Sequence, residues 1–315
     1  MKQLYERFRQ HAEDYFARLR ALPDLRVPES FLAVTILFLL VQLVSILLTG
    51  PAEYLLESVS GLVTGKPVAD GSAQQMVMQL LTTGICIVLS VGYCRLLENR
   101  PFAAIGFRRK HALRQFLGGA LLGIGMFGAA VLLAWAGGAL RFEGGAHAPQ
   151  TGTLLAFLFA WTVQGFSEEI AFRSWLTVSI GVRRSPAFAC IWSAFLFALM
   201  HTENDGFSLL PFCNLMLFGI FAALCYLRTE AVWMPGAMHA LWNCVQGNLF
   251  GLQVSGIPVP ASLLHFSQND SGKWLNGGVF GLEGGFAVTA VIAAGILTEL
   301  LLLRQKQRAD HPKRA

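Results

Sequence analysis

Charge is what this chain has least of. Only 14% of its 315 residues are Asp, Glu, Lys or Arg, against 54% hydrophobic, and the mean hydropathy is +0.53. So little charge excludes a solvated surface over most of the length and points to a membrane protein. The six cysteines (Cys86, Cys94, Cys190, Cys213, Cys225 and Cys244) lie in or beside apolar segments with no CxxC pair, which indicates neither disulfides nor a thiolate metal site. H-E-x-x-H is missing, and with it the common helix-borne zinc motif. G-x-S-x-G is missing too, so Ser167 has no nucleophile context. No small-residue cleavage pattern follows the polar N-terminal segment, so the first apolar run is expected to stay as an anchor. No internal repeat suggests a two-fold transporter architecture.

What is present is a series of apolar runs, at about 31–49, 76–97, 116–140, 154–176, 187–201, 209–227, 232–250 and 280–303. They predict an all-α polytopic membrane protein of about eight transmembrane helices. Of the 24 Lys and Arg, all but Lys66, Arg141 and Lys273 fall on the N-terminal side of that alternation. The positive-inside rule then places both termini in the cytosol. Basic clusters that flank apolar spans favour anionic lipid as their partner, not nucleic acid.

Five segments follow: 1–29, a basic amphipathic helix expected to lie on the cytosolic membrane surface; 30–150, N-terminal membrane helices; 151–256, the core with the chemistry; 257–304, an external loop and the last membrane helix; and 305–315, a basic tail. Residues 50–75 read as an external loop. The glycines of the third span (Gly118, Gly119, Gly123, Gly125, Gly128) predict close helix approach.

The most informative stretch is Ser167 to Arg173, S-E-E-I-A-F-R, after a run from Leu154 to Val163 with no charge at all. A charge at the bilayer centre costs roughly 2.5–3.5 kcal/mol on insertion scales, so two adjacent carboxylates there mark a functional site. Glu169 and Arg173 stand four apart, in the favourable order for an ion pair, while Glu168 points about 100° away. The pair divides into a structural Glu169 and a chemical Glu168. Two further polar pairs stand in apolar runs: Phe197 with His201, and His239 with Asn243. A Glu, two His and an Asn on three helices can activate a water and stabilise an oxyanion, with Glu168 as base, His201 orienting the water, and His239 and Asn243 as donors. The same residue types leave zinc open, with Glu168, His201 and His239 as ligands and water in the fourth position. A proton-coupled transporter, or an immunity or scaffold protein without catalysis, are the alternatives from other classes. Counting residues from the segment ends puts Glu168 and His239 at similar depth and His201 about 10 Å deeper.

In this order, E-E-x-x-x-R (Glu168, Glu169, Arg173), F-x-x-x-H (Phe197, His201) and H-x-x-x-N (His239, Asn243) resemble the CPBP family. That family comprises the CAAX prenyl endopeptidases and the bacterial bacteriocin-processing or immunity-type intramembrane proteases. Asn214, Gly219 and the run from Tyr226 to Asn243 look like the bacterial branch. The resemblance implies an eight-span bundle around a conical cavity and an endopeptidase acting on a membrane peptide or protein, prenylated or not. It implies Glu168 as general base, His201, His239 and Asn243 as its partners, Glu169 and Arg173 in support, no metal cofactor, and access from the cytosol.

Overall fold

The computed structural model describes residues 2–145 and 151–310. The chain runs α1 (Lys2–Arg20), α2 (Phe31–Thr64), α3 (Ala73–Thr82), α4 (Gly84–Leu96), α5 (Ala112–Ala136), β1 (Leu140–Gly145) and α6 (Thr151–Glu169). A π-helical stretch (Ile170–Thr177) leads into α7 (Val178–Arg183), then α8 (Pro186–Leu199), α9 (Leu209–Thr229) and α10 (Trp233–Cys244) with a second π-helical turn (Val245–Leu249). β2 (Leu264–Gln268), α11 (Lys273–Asn276) and α12 (Phe286–Asp310) complete it.

Every predicted apolar run is helical. Among the described residues five helical segments are long and apolar enough to cross a membrane: 31–64, 73–96, 112–136, 209–229 and 286–303. The chain is therefore a helical, polytopic integral membrane protein. The other three runs are shorter or broken by π-helical turns, and they hold the polar residues inside the molecule.

Two expectations are corrected. The loop expected at 50–75 is largely helix, because α2 runs through Pro51 to Thr64 and turns only at Gly65 (φ 70°). Proline costs a helix its own N–H bond and crowds the turn before it, but Ala, Glu and Leu follow and carry the helix on. At 34 residues α2 reaches about 51 Å, well beyond the ~30 Å hydrocarbon layer.

The expected all-α class holds, with one addition: β1 and β2 form an antiparallel pair, with Phe142 opposite Phe266 and a bulge before Gly144. Strands this short, more than a hundred residues apart, show no periodicity to read.

Finally, α1 does not lay its apolar face on a membrane. Phe8, Ala12, Tyr15, Phe16 and Leu19 are buried in the main core. Phe16 fills the space beside Gly181, His11 reaches the Leu227 carbonyl, and Arg18 pairs with Glu230 at 2.5 Å. Burial pushes the Tyr15 phenol well above its ordinary range.

Glu230 also pairs with Arg108 at 2.7 Å, and Val232 N–H bonds the Gly106 carbonyl, so α1, the 100–110 connection and the turn after α9 gather at one end. α12 packs on α1, which brings both terminal helices to that same end. The last helix continues through Asp310; residues 311–315 of the expected basic tail lie outside the described residues. All six cysteines are free.

The glycine pattern of α5 divides in two. A Cβ on Gly119 or Gly123 would overlap the Met234 or Met238 carbonyl of α10, whereas Gly118, Gly125 and Gly128 face open space. Gly123→Ala is expected to destabilise by about 1–3 kcal/mol by forcing the helices apart. Gly118→Ala is expected to be neutral or stabilising by up to ~1 kcal/mol through helix propensity. Unfolding midpoints in detergent separate the two; equal effects would remove the packing role assigned to Gly123.

Candidate active site

Close approach of α6 and α10 builds the site. A Cβ on Gly165 would sit 2.7 Å from Ala240 N, so only glycine lets the helices meet there. One turn on, Glu168 and Glu169 end α6 and the backbone widens into the π-helical stretch that carries Arg173. Such turns leave carbonyls to be satisfied from elsewhere, and they recur at functional sites. Here the Phe172 carbonyl accepts from Thr177 Oγ1 at 2.8 Å and from Ser193 Oγ at 2.9 Å.

Glu169, Arg173 and His239 form a buried triad. Arg173 Nε lies 3.1 Å from Glu169 Oε2, with both side chains fully inaccessible, and the guanidinium stacks over Phe197 at 4.7 Å from the ring centre. The other oxygen, Glu169 Oε1, accepts from His239 Nδ1 at 2.9 Å. Because a carboxylate only accepts, that bond fixes the proton on Nδ1 and aims Nε2 at Glu168, whose Oε2 is 3.7 Å away. Phe218 packs edge-on against the same imidazole.

Glu168 is the less enclosed carboxylate, with 27% of its side chain exposed. Its Oε1 accepts from Gln164 Nε2 at 2.7 Å, and Gln164 Oε1 accepts from Asn243 Nδ2 at 3.0 Å. Oε2 makes no hydrogen bond and faces His239.

The structure thus brings together Glu168, Glu169, Arg173, Phe197, His239 and Asn243. Asn243 joins through Gln164, which sequence reading passed over. Its signal was available: Gln164 stands four residues before Glu168, one helical turn back on the same face, at the end of the uncharged run.

His201 is placed differently. α8 ends at Leu199, and His201 sits in the turn beyond it, its Nδ1–H donating to the Phe197 carbonyl at 2.8 Å. That leaves Nε2 as its free acceptor. It lines a cavity of about 20 Å³, room for roughly one water, together with His239, Asn214, Phe218, Trp242, Ser255 and Glu283. His201 and His239 line one cavity although the turn lies past the end of α8, and His239 also faces Glu168, so that it stands between Glu168 and the His201 cavity. Among the described residues no three His, Cys, Asp or Glu side chains are grouped as a metal ion requires.

Glu283, Ser255 and Trp242 were also missed. Glu283 comes from the turn before α12, at the start of the apolar run 280–303; its carboxylate accepts from Trp242 Nε1 at 3.1 Å.

Apolar helices that bury paired carboxylates, an arginine and a histidine define a polytopic membrane protein with an intramembrane polar site. Over residues 150–245 the chain matches the family described as type II CAAX prenyl endopeptidase Rce1-like. The match covers under a third of the chain, and over that span the chain is similar to a CAAX-type intramembrane protease. The matched span contains Glu168, Glu169, Arg173, His201, His239 and Asn243. No curated protein matches the chain.

Proposed function

We propose that this protein is an intramembrane endopeptidase in which Glu168 removes a proton from the water that attacks a peptide carbonyl. Glu168 is half-open to its surroundings and, unlike Glu169, bound to no cation, so it keeps an unpartnered oxygen for that proton. This observation carries the reading. His239, its Nδ1–H held by Glu169, presents Nε2 to Glu168; there it takes over the proton that Glu168 removes and then donates to the developing oxyanion, with Asn243 as a second donor. His201 offers Nε2 as an acceptor that orients water in the cavity it shares with His239. Glu169 and Arg173 hold His239 and neutralise each other, which keeps the remaining charge of the site on Glu168. Low dielectric around the group makes each of these few hydrogen bonds count for more than it would in water.

The same reading extends to topology and substrate. Eight crossings with both termini cytosolic follow the charge sorting, and the common end of α1 and α12 supports an even number. The peptide substrate, prenylated or not, enters from the cytosolic side of a bacterial inner membrane, and the basic connections meet anionic lipid there.

The mechanism is written without a metal cofactor. What supports this is the donor set: His239 is committed to Glu169 through Nδ1, with Nε2 facing Glu168 at 3.7 Å, and His201 lines the cavity beyond it. The test is cleavage of a fluorogenic isoprenylated peptide by purified protein in detergent, with and without a strong chelator. Activity is expected to survive chelation. Loss on chelation and recovery with zinc would replace the mechanism with a metal one, and normal cutting by both Glu168→Ala and His201→Ala would reject the assigned chemistry.

A further inference from the structure

His201 has a positioning problem that its own helix does not solve, because it lies past the end of α8. The distance between His201 and His239 must be set from outside, and the 251–285 segment, beyond the span that matches the family, does it.

Glu283 is the joint. It stands on the single 3₁₀ turn Leu282–Gly284, just before α12. Its Oε2 accepts from both the N–H and the Oγ of Ser255, at 2.7 Å each, while Oε1 holds Trp242 of α10. Charge-assisted bonds on both oxygens make a stiff connection. Ser255 needs it, since its φ of 49° is a conformation that non-glycine residues rarely adopt. The Ser255 carbonyl accepts from Asn204 Nδ2 at 2.8 Å, and Asn204 N–H donates to the His201 carbonyl at 3.1 Å. On the other side, Trp242 adjoins Asn243 and lies three residues past His239. Asn214 of α9 anchors the turn itself by donating to the Glu283 carbonyl at 2.7 Å.

One carboxylate therefore links the turn that carries His201 to the helix that carries His239, and it lines the cavity both histidines share. We propose that Glu283 is a positioning residue that fixes the His201–His239 separation. The inference rests on the reading of those histidines as site residues.

Glu283→Gln tests it, because an amide has one accepting oxygen and cannot satisfy both Trp242 and Ser255. Glu143→Gln, an exposed carboxylate bound to Ser267 across the two strands, is the control. In detergent, Glu283→Gln is expected to lower kcat on the order of 10²-fold, as a misplacement of about 1 Å does, with KM within about twofold and the unfolding midpoint unchanged. Hydrogen exchange is expected to quicken in residues 200–207 and 239–245, and in neither for Glu143→Gln. Unchanged kcat, a fall matched by a lowered midpoint, or exchange quickening confined to 251–257 would overturn the proposal. Full activity in Glu283→Gln beside a dead Glu168→Gln rejects the joint and leaves proteolysis standing. If wild type cleaves no membrane peptide, the proteolytic reading falls, and the exchange pattern still decides whether Glu283 ties the two segments.

Discussion

Glu168→Gln is expected to lower kcat by roughly 10³-fold while leaving the unfolding midpoint where it was, within the 10²–10⁴ that general-base catalysis supplies. Glutamine keeps the shape and an oxygen to accept from Gln164, so the chain from Asn243 through Gln164 survives. What it loses is the ability to take a proton on the oxygen that faces His239. KM should move little, since binding along the substrate is untouched. Glu168→Asp retains the base but withdraws it by one methylene, and an intermediate loss is expected. Single-turnover cleavage of the isoprenylated peptide measures both. A Glu168→Gln enzyme within threefold of wild type would move the base elsewhere, and Glu169, already engaged by Arg173 and His239, is poorly free to serve.

Arg173→Leu is expected to have the largest effect on stability, about 3–5 kcal/mol, because it strands Glu169 as a buried carboxylate without its guanidinium. It also removes the cation from the face of Phe197. Arg173→Lys should rescue only part of this, since an ammonium does not reproduce the planar stacked guanidinium. The double variant Glu169→Gln with Arg173→Leu is expected to recover most of the loss, because a neutral pair carries no uncompensated charge. Denaturant midpoints for the two singles and the double form a cycle. Additive effects would show that the two side chains do not act as a pair. Recovered stability in the double should not restore activity, since His239 then lacks the carboxylate that fixes its tautomer.

Shared faces were legible in the sequence where polar residues sit one helical turn apart. Glu169 with Arg173 and His239 with Asn243 are local pairs, and helical geometry turns spacing into a shared face. The Glu169–Arg173 pair followed from the same geometry, and Glu169 bonds His239 as well. Gln164 was equally local and escaped because an uncharged amide carries no burial cost large enough to mark it beside two carboxylates. Glu283, Ser255 and Trp242 could not be found in this way. Their partners lie 28 and 41 residues apart in the chain, and a lone glutamate at the start of an apolar run looks like any boundary charge until the fold covers it.

The amphipathic stripe of α1 was visible, but not its occupant. An apolar helix face is satisfied equally by lipid tails or by protein, and only the assembled groove beside Gly181 and Leu227 decides between them.

The sequence by itself determined that this is a helical membrane protein, which runs are apolar, how the charges are sorted around them, and which polar residues the apolar helices carry. These are properties of composition and of short-range periodicity, and each residue contributes to them wherever the rest of the chain goes. The tertiary structure alone decided that α6 and α10 touch at Gly165, that His239 stands between Glu168 and the His201 cavity, that α1 is covered by protein, and that a loop carboxylate ties two site segments together. Those depend on contacts between segments far apart in the chain, whose energies come from shape and from mutual burial, and neither exists until the helices have packed.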